Sequence, residues 1–250
     1  MTPELVVSAL GLPPAARVDQ RVPKKLLLEN GAPTAADKRQ IQDGIEDLSW
    51  IAALKPETIG IPAYQDEERE YLEIAVLSLR LRAEAKPARL VELVHRAIPY
   101  PVLLIRSGTQ NLALSLARLR WSQGEKGKTV LEGMPLSSSL EGASQLEESF
   151  LASLQISSNR HRHLLSLYEG WIESFEAHAA SRHTGVFALA ADTEAVSRRR
   201  SALAEHDRLK LEIASLRSRA AKEKQINRRV EMNLQIKQLE SRLAETARHF

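Results

Sequence analysis

Cysteine is absent from the 250 residues, which removes disulfides, thiolate zinc sites and cysteine nucleophiles from the possible chemistry while saying little about compartment. No run of about 18 or more uncharged apolar residues occurs, so no membrane-spanning helix is expected. The opening residues, MTPELVVSALGLPP, lack a basic stretch followed by an apolar core and a small-residue cleavage site, and a cytoplasmic protein is expected. Neither a G-x-x-x-x-G-K-[ST] loop nor a G-x-G-x-x-G turn is present, which argues against a nucleotide-driven motor. The Asp- or Asn-Pro-Pro-Tyr signature of adenine methylation is missing as well. No cofactor, no metal and no catalytic residue is expected.

What is there is a chain with 43% hydrophobic residues and a net charge of +3, enough for one core of moderate size and an extended helical part. A charge this small does not make the whole protein a nucleic-acid binder, because non-specific affinity grows with the number of phosphates neutralised. Its distribution is uneven. From Arg198 to Arg229 there are eleven Lys or Arg against four Asp or Glu, whereas Asp66 to Glu70 is acidic.

Along the chain, a short helix over Glu4 to Leu10 is stopped by Pro13-Pro14, and Arg17 to Glu29 reads as an extended edge segment interrupted by Pro23. Thr34 is a good N-cap for a helix to about Asp47, with Ile41, Ile45 and Leu48 at helical spacing. Leu48 to Leu54 alternates as a strand, and Pro56 to Pro62 turns the chain. Tyr71 to Leu81 is apolar on both faces, as a central strand would be. Pro87 to Ala97 reads as a helix with proline in its first turn. Tyr100 to Arg106 and Asn111 to Trp121 form a hairpin around Ser107-Gly108, and Lys128 to Glu132 supplies a short edge strand. The expected fold is α+β: a mixed or antiparallel sheet of about five strands with flanking helices over 1–134. A Ser-rich linker at Pro135 to Ser139 opens a helical linker region over 135–190, and a long basic helix fills 191–250.

That last helix, capped by Asp192 or Thr193, reaches about Ala247 without Gly or Pro, roughly 80 Å at 1.5 Å per residue. A domain of this size cannot shelter such a rod, so a partner is expected. Leu209, Ile213, Leu216 and Ala220 follow 4-3-4 spacing, the seam of a coiled coil or helical hairpin, the plainer alternative being a solvated helix packed through an imperfect seam on the helix of Trp171. Continuing its register places Glu223 and Asn227 in the seam before Val230 and Leu234, while Ile236, Leu239 and Leu243 lie on a shifted face. Polar seam residues specify a partner or register, which makes Glu223, Asn227, Glu231 and Asn233 the expected docking residues, for a protein partner or for a second copy of the chain.

Several short motifs occur in a fixed order over nearly the whole chain: Arg21-Val22-Pro23-Lys24, Leu54-Lys55-Pro56-Glu57-Thr58, Glu73-Ile74 with Val76, Ile98-Pro99-Tyr100, and Glu223-Lys224-Gln225 through Asn227-Arg228, Glu231 and Asn233. Together they resemble an uncharacterised bacterial family, one of the domains of unknown function, encoded beside SNF2-type helicases and site-specific DNA methyltransferases in phage-defence or restriction-type gene clusters. The family pattern has an aromatic residue after the Pro-Lys motif, where this chain has Leu26 to Leu28. What the resemblance implies is a neighbourhood rather than an activity. Catalysis would belong to the helicase or methyltransferase, and this chain would be a non-catalytic accessory subunit that binds one of them.

Three clusters bear on that expectation. The alternative function is a metal-dependent nuclease effector centred on Glu73, which lies in an apolar strand with a second acid, Glu57, and with Lys24 or Lys55 within reach, since metal-dependent phosphoryl transfer needs gathered carboxylates of this kind. No Asp followed by a Glu-x-Lys pair accompanies it, so the simpler expectation is that Glu73 pairs with Arg21 or Lys24 and pins the N-terminal segment to the sheet. Asn159-Arg160-His161-Arg162-His163 has two His at i and i+2, which point apart on a helix, flanked by arginines that repel a cation. The basic helix, chiefly Arg198, Arg199, Arg200, Arg217, Lys224, Arg228 and Arg229, suits a phosphate backbone or an acidic protein surface. No aromatics interleave with it, so stacking on single-stranded bases is unsupported.

Overall fold

Proline and threonine mark where the first helices begin. In the computed structural model, which describes residues 1–108, 111–125, 127–156 and 161–250 with the side chain of Arg248 excepted, α1 (Pro3–Ala9) opens on a proline, where the missing N–H is no loss. The edge strand β1 (Arg17–Arg21) follows, then α2 (Lys24–Asn30) and α3 (Ala35–Gly44). Thr34 caps α3 by accepting the Asp37 N–H at 3.1 Å. The chain continues as β2 (Ile45–Leu54), α4 (Pro56–Ile59), a small hairpin of β3 (Tyr64–Gln65) and β4 (Glu70–Tyr71), β5 (Ile74–Leu81) and α5 (Pro87–Ala97). After these come β6 (Val102–Ser107), β7 (Ala113–Leu116), β8 (Leu119–Trp121), β9 (Thr129–Leu131), β10 (Leu136–Ser139), α6 (Gln145–Ser153), α7 (Leu164–Thr184), α8 (Thr193–Lys222) and α9 (Ile226–Thr246). The protein is α+β, with two compact units, Met1–Phe175 and Glu176–Phe250.

In the first unit six strands pair in the order β1-β2-β5-β6-β7-β10. Only β5 and β6 run parallel, and α5 is the crossover that such a pair requires. Under α2, α3 and α5, the side chains of Leu27, Ile41, Leu90 and Val94 pack on Leu48, Leu77, Leu79 and Leu104. Gly31 brings α2 close to α5, since a Cβ there would stand 2.6 Å from the Leu93 carbonyl oxygen. On the other face α1 lies over β6, where Val76, Leu103 and Ile105 are buried. Tyr168 of α7 is fully buried, and its hydroxyl accepts the Ala117 N–H at 3.0 Å and lies 2.9 Å from the Val102 carbonyl.

Three expectations are corrected here. Lys24–Asn30 is helical rather than extended, because Leu27 reaches the core against α5 only if the segment turns. The Ser-rich Leu136–Ser139 is no linker but the edge strand β10, paired residue by residue with β7; backbone hydrogen bonds hold it, and edge strands tolerate polar side chains. Conversely, Thr129–Leu131 pairs with β8 in a separate two-stranded ribbon and not with the main sheet.

The second unit overturns the uninterrupted rod. Glu223 and Gln225 adopt extended backbone angles, with ψ of 125° and 117°, and the Glu223 carboxylate accepts the Gln225 N–H at 2.8 Å. The break folds α9 back along α8, so that Leu209, Ile213 and Leu216 meet Ile236 and Leu239, with Leu243 at the end of the seam. Arg217 pairs with Glu240 at 2.6 Å and Arg242 with Glu205 at 2.9 Å across the hairpin. On a continuous helix the two apolar stripes point to different sides and cannot be covered together. Full burial of such side chains is worth about 1.5–3 kcal/mol each, against about 1 kcal/mol net for each helical hydrogen bond given up at the break. The hairpin therefore wins without a Gly or Pro to force it.

Candidate functional site

Residues facing each other in neighbouring strands share a face, so the sheet surface under α5 can be read across the strands. One row runs Leu48, Leu79, Arg106, Ala113, Ser139, and the next runs Trp50, Leu77, Leu104, Ser115, Ser137. The surface is apolar over β2 and β5 and becomes polar over β7 and β10. There a cavity of about 190 Å³ opens, lined by Pro87, Ala88, Val91, Arg106, Ser115 and Ser137 among others. Pro87 and Ala88 are the first turn of α5, which has no side-chain cap and no acidic residue. Pro87 has no N–H and the Leu90 N–H bonds to the Lys86 carbonyl, so the N–H groups of Ala88 and Arg89 carry the positive end of the helix dipole here.

Arg106 is only 9% exposed. Its Nη2 donates to the Asn111 carbonyl at 3.2 Å, and among the described residues no carboxylate pairs with it. Burial alone pushes its pKa down, yet a guanidinium stays protonated at any ordinary pH. On the helices, Arg89 holds Asp37 at 2.8 Å and Glu92 at 2.7 Å. Ser115 lies 2.9 Å from Nε2 of His95, whose complete burial pushes its pKa down to about 3 and keeps it neutral. The contact fixes the direction of the Ser115 side chain. A larger concavity of about 640 Å³ lies beside α1, but its arginine, Arg17, is already paired with Asp19 at 3.5 Å.

The residues singled out from sequence fall elsewhere. Glu73 is 8% exposed and pairs with Lys55 at 3.1 Å. The expected partners are occupied: Arg21 pairs with Asp47 at 2.9 Å, and Lys24 donates to the carbonyls of Gln42 and Ile45 at the end of α3. Lys55 wins because it closes β2 immediately beside the start of β5, whereas Lys24 sits at the opposite end of β2. The hydrogen bond to Glu73 raises the Lys55 pKa, with smaller contributions from Tyr100 and Glu57. Among the described residues no group of three or more His, Asp or Glu is arranged to hold a metal ion. Asn159 and Arg160 lie outside the described residues.

In the second unit, Arg198 pairs with Glu194 at 3.1 Å, Arg200 with Glu176 at 2.7 Å and Arg217 with Glu240 at 2.6 Å. Nε and Nη1 of Arg199 are buried without a hydrogen-bond partner among the described residues. Lys224, Arg228 and Arg229, at the tip of the hairpin, are exposed and form no ion pair among the described residues. Asn227, Glu231 and Asn233 are exposed on α9, and Glu223 is the turn itself. The same helix carries Ile226, Val230 and Leu234, exposed by 67%, 51% and 56%. At a spacing of four they form one stripe, roughly opposite the seam of Ile236 and Leu239.

Sequence reasoning missed Arg106, Ser115 and Ser137. A usable signal existed: an arginine closing an apolar strand, and a serine inside the alternating apolar run Ala113 to Leu116. Neither residue indicates its neighbour until the register is known.

Residues 10–243 match the model of a family described as Domain of unknown function (DUF4391). No curated protein and no solved structure matches the chain.

Proposed function

The chain belongs to the DUF4391 family, and from its exposed hairpin tip we propose that it is a non-catalytic accessory subunit of a bacterial antiphage or restriction-modification-type complex. It docks through α9 on a helicase or DNA methyltransferase encoded beside it. The observation that carries this reading is the outward stripe of Ile226, Val230 and Leu234, at the same end of the hairpin as Lys224, Arg228 and Arg229, which form no ion pair among the described residues. An apolar stripe of this kind on a surface helix is the usual anchor for a groove, read at i, i+4 and i+8. The cations select a groove with an acidic rim and set the encounter rate more than the affinity. Clustered like charges on one helix end repel by a few tenths of a kcal/mol per pair, a cost that an acidic partner removes.

The test is co-expression of the tagged chain with the neighbouring helicase and methyltransferase genes. The wild type retains one of these proteins through purification, whereas Val230→Glu/Leu234→Glu releases it without lowering the melting temperature. Equal recovery by both forms, or recovery of neither protein, refutes the proposal. Retention of duplex DNA alone, with a log-log salt slope of about −0.9 per phosphate neutralised, replaces the protein partner by a nucleic acid.

A further inference from the structure

We propose that the cavity between the first turn of α5 and strands β6, β7 and β10 binds a phosphate group, with Arg106 as its charged anchor. Two independent observations meet there. An uncapped helix N-terminus without an acidic first-turn residue is a ready anion site. A nine-tenths-buried arginine without a carboxylate partner among the described residues lines the same cavity. A buried charge persists when something neutralises it, and among the described residues no carboxylate pairs with Arg106. Ser115, oriented by His95, and Ser137 add hydroxyl groups from β7 and β10.

Size decides the class. At about 190 Å³ the cavity lies below the roughly 300–1,000 Å³ of sites that enclose a drug-sized ligand, so it admits the anionic group and leaves its carrier outside. Polar groups converge from a helix end, a guanidinium and two hydroxyls on different strands, which suits the several acceptor oxygens of a tetrahedral phosphate better than a planar carboxylate. The carrier is either nothing, a nucleotide or the end of a nucleic-acid strand, and the experiment separates these.

Calorimetric titration in chloride buffer uses four probes: inorganic phosphate, a nucleoside monophosphate, a short 5′-phosphorylated oligonucleotide and its 5′-hydroxyl twin. The expected result is one equivalent of at least one phosphate probe bound per chain, and none of the 5′-hydroxyl strand. Arg106→Met weakens that binding by about tenfold or more, the scale of a charge-assisted hydrogen bond. Arg21→Met, which removes the same charge from a side chain that is 73% exposed, leaves it unchanged. Should Arg106→Met fail to fold, Ser137→Ala at the exposed edge strand decides, with a several-fold weakening expected at an unaltered melting temperature. Tighter binding of the phosphorylated strand than of free phosphate identifies a nucleic-acid end, and equal affinities identify a free anion. The proposal is overturned if no phosphate probe binds, if the hydroxyl strand binds as well as its phosphorylated twin, if Arg21→Met is as damaging as Arg106→Met, or if Ser137→Ala and every folded Arg106 variant bind like the wild type.

Discussion

Replacing Leu209 by alanine tests the hairpin directly. Leu209 has no exposed surface and packs with Ile213, Leu216, Ile236 and Leu239. The substitution removes about three buried carbons at ~0.8 kcal/mol each, and incomplete collapse of the seam adds a cavity term, giving about 3 kcal/mol within the usual range for such changes. The apolar cluster joining the two helices is small, five buried side chains with Leu243 against them among the described residues, so α8 and α9 open together, and 3 kcal/mol raises the open population by about two orders of magnitude. Hydrogen exchange read by mass spectrometry on peptides from both helices measures this loss of protection. Leu211→Ala supplies the control: the same atoms are removed two residues away, from a side chain that is 74% exposed, and the change stays within about 0.5 kcal/mol. Equal effects of the two substitutions, or a loss confined to α8 while α9 keeps its protection, refute the folded-back arrangement.

Two further perturbations probe the first unit. Hydrogen bonds from Arg89, and then from Thr34, hold the Asp37 carboxyl down to about 2 from its ordinary 3.8. Its folded value lies below the unfolded one, so its stabilisation is complete above about pH 4 and disappears as the pH falls toward 2. Asp37→Asn therefore lowers the melting temperature at pH 7 and flattens the acid limb between pH 4 and 2, and an acid limb identical to that of the wild type contradicts the assignment. Tyr168→Phe leaves the Ala117 N–H without its acceptor in a fully buried site, at a cost of about 1–3 kcal/mol. Denaturant unfolding at constant slope should show the midpoint falling accordingly, and an unmoved midpoint would mean that water reaches the vacated position.

Local chemistry made much of the fold legible. Thr34 and Asp192 cap the helices they were expected to cap, Pro87 opens α5 and Gly185 ends α7 in a left-handed conformation, with φ of +76°. The apolar run of β5 is buried on both faces. In each case the determining interaction lies within a few residues, or depends on a periodicity that the chain displays by itself. The outward stripe of α9 is only half legible: Glu223 and Asn227 read as a polar interruption of the seam, but Val230 and Leu234 read as part of the seam they turn away from.

What the sequence alone determined, then, is where α3, α5 and α8 begin, where the central apolar strand lies and which class of fold they build, because capping, turn chemistry and hydrophobic periodicity are short-range properties. Tertiary structure decided the rest. The pairing of a serine-rich segment with β7, the choice of Lys55 over Lys24 for Glu73, the break at Glu223 and the assembly of Arg106 with two serines beside a helix end all depend on register between distant strands. They depend equally on the burial of stripes that only a second segment can cover. Such interactions join residues far apart in the chain, and no local signal at either end names the other.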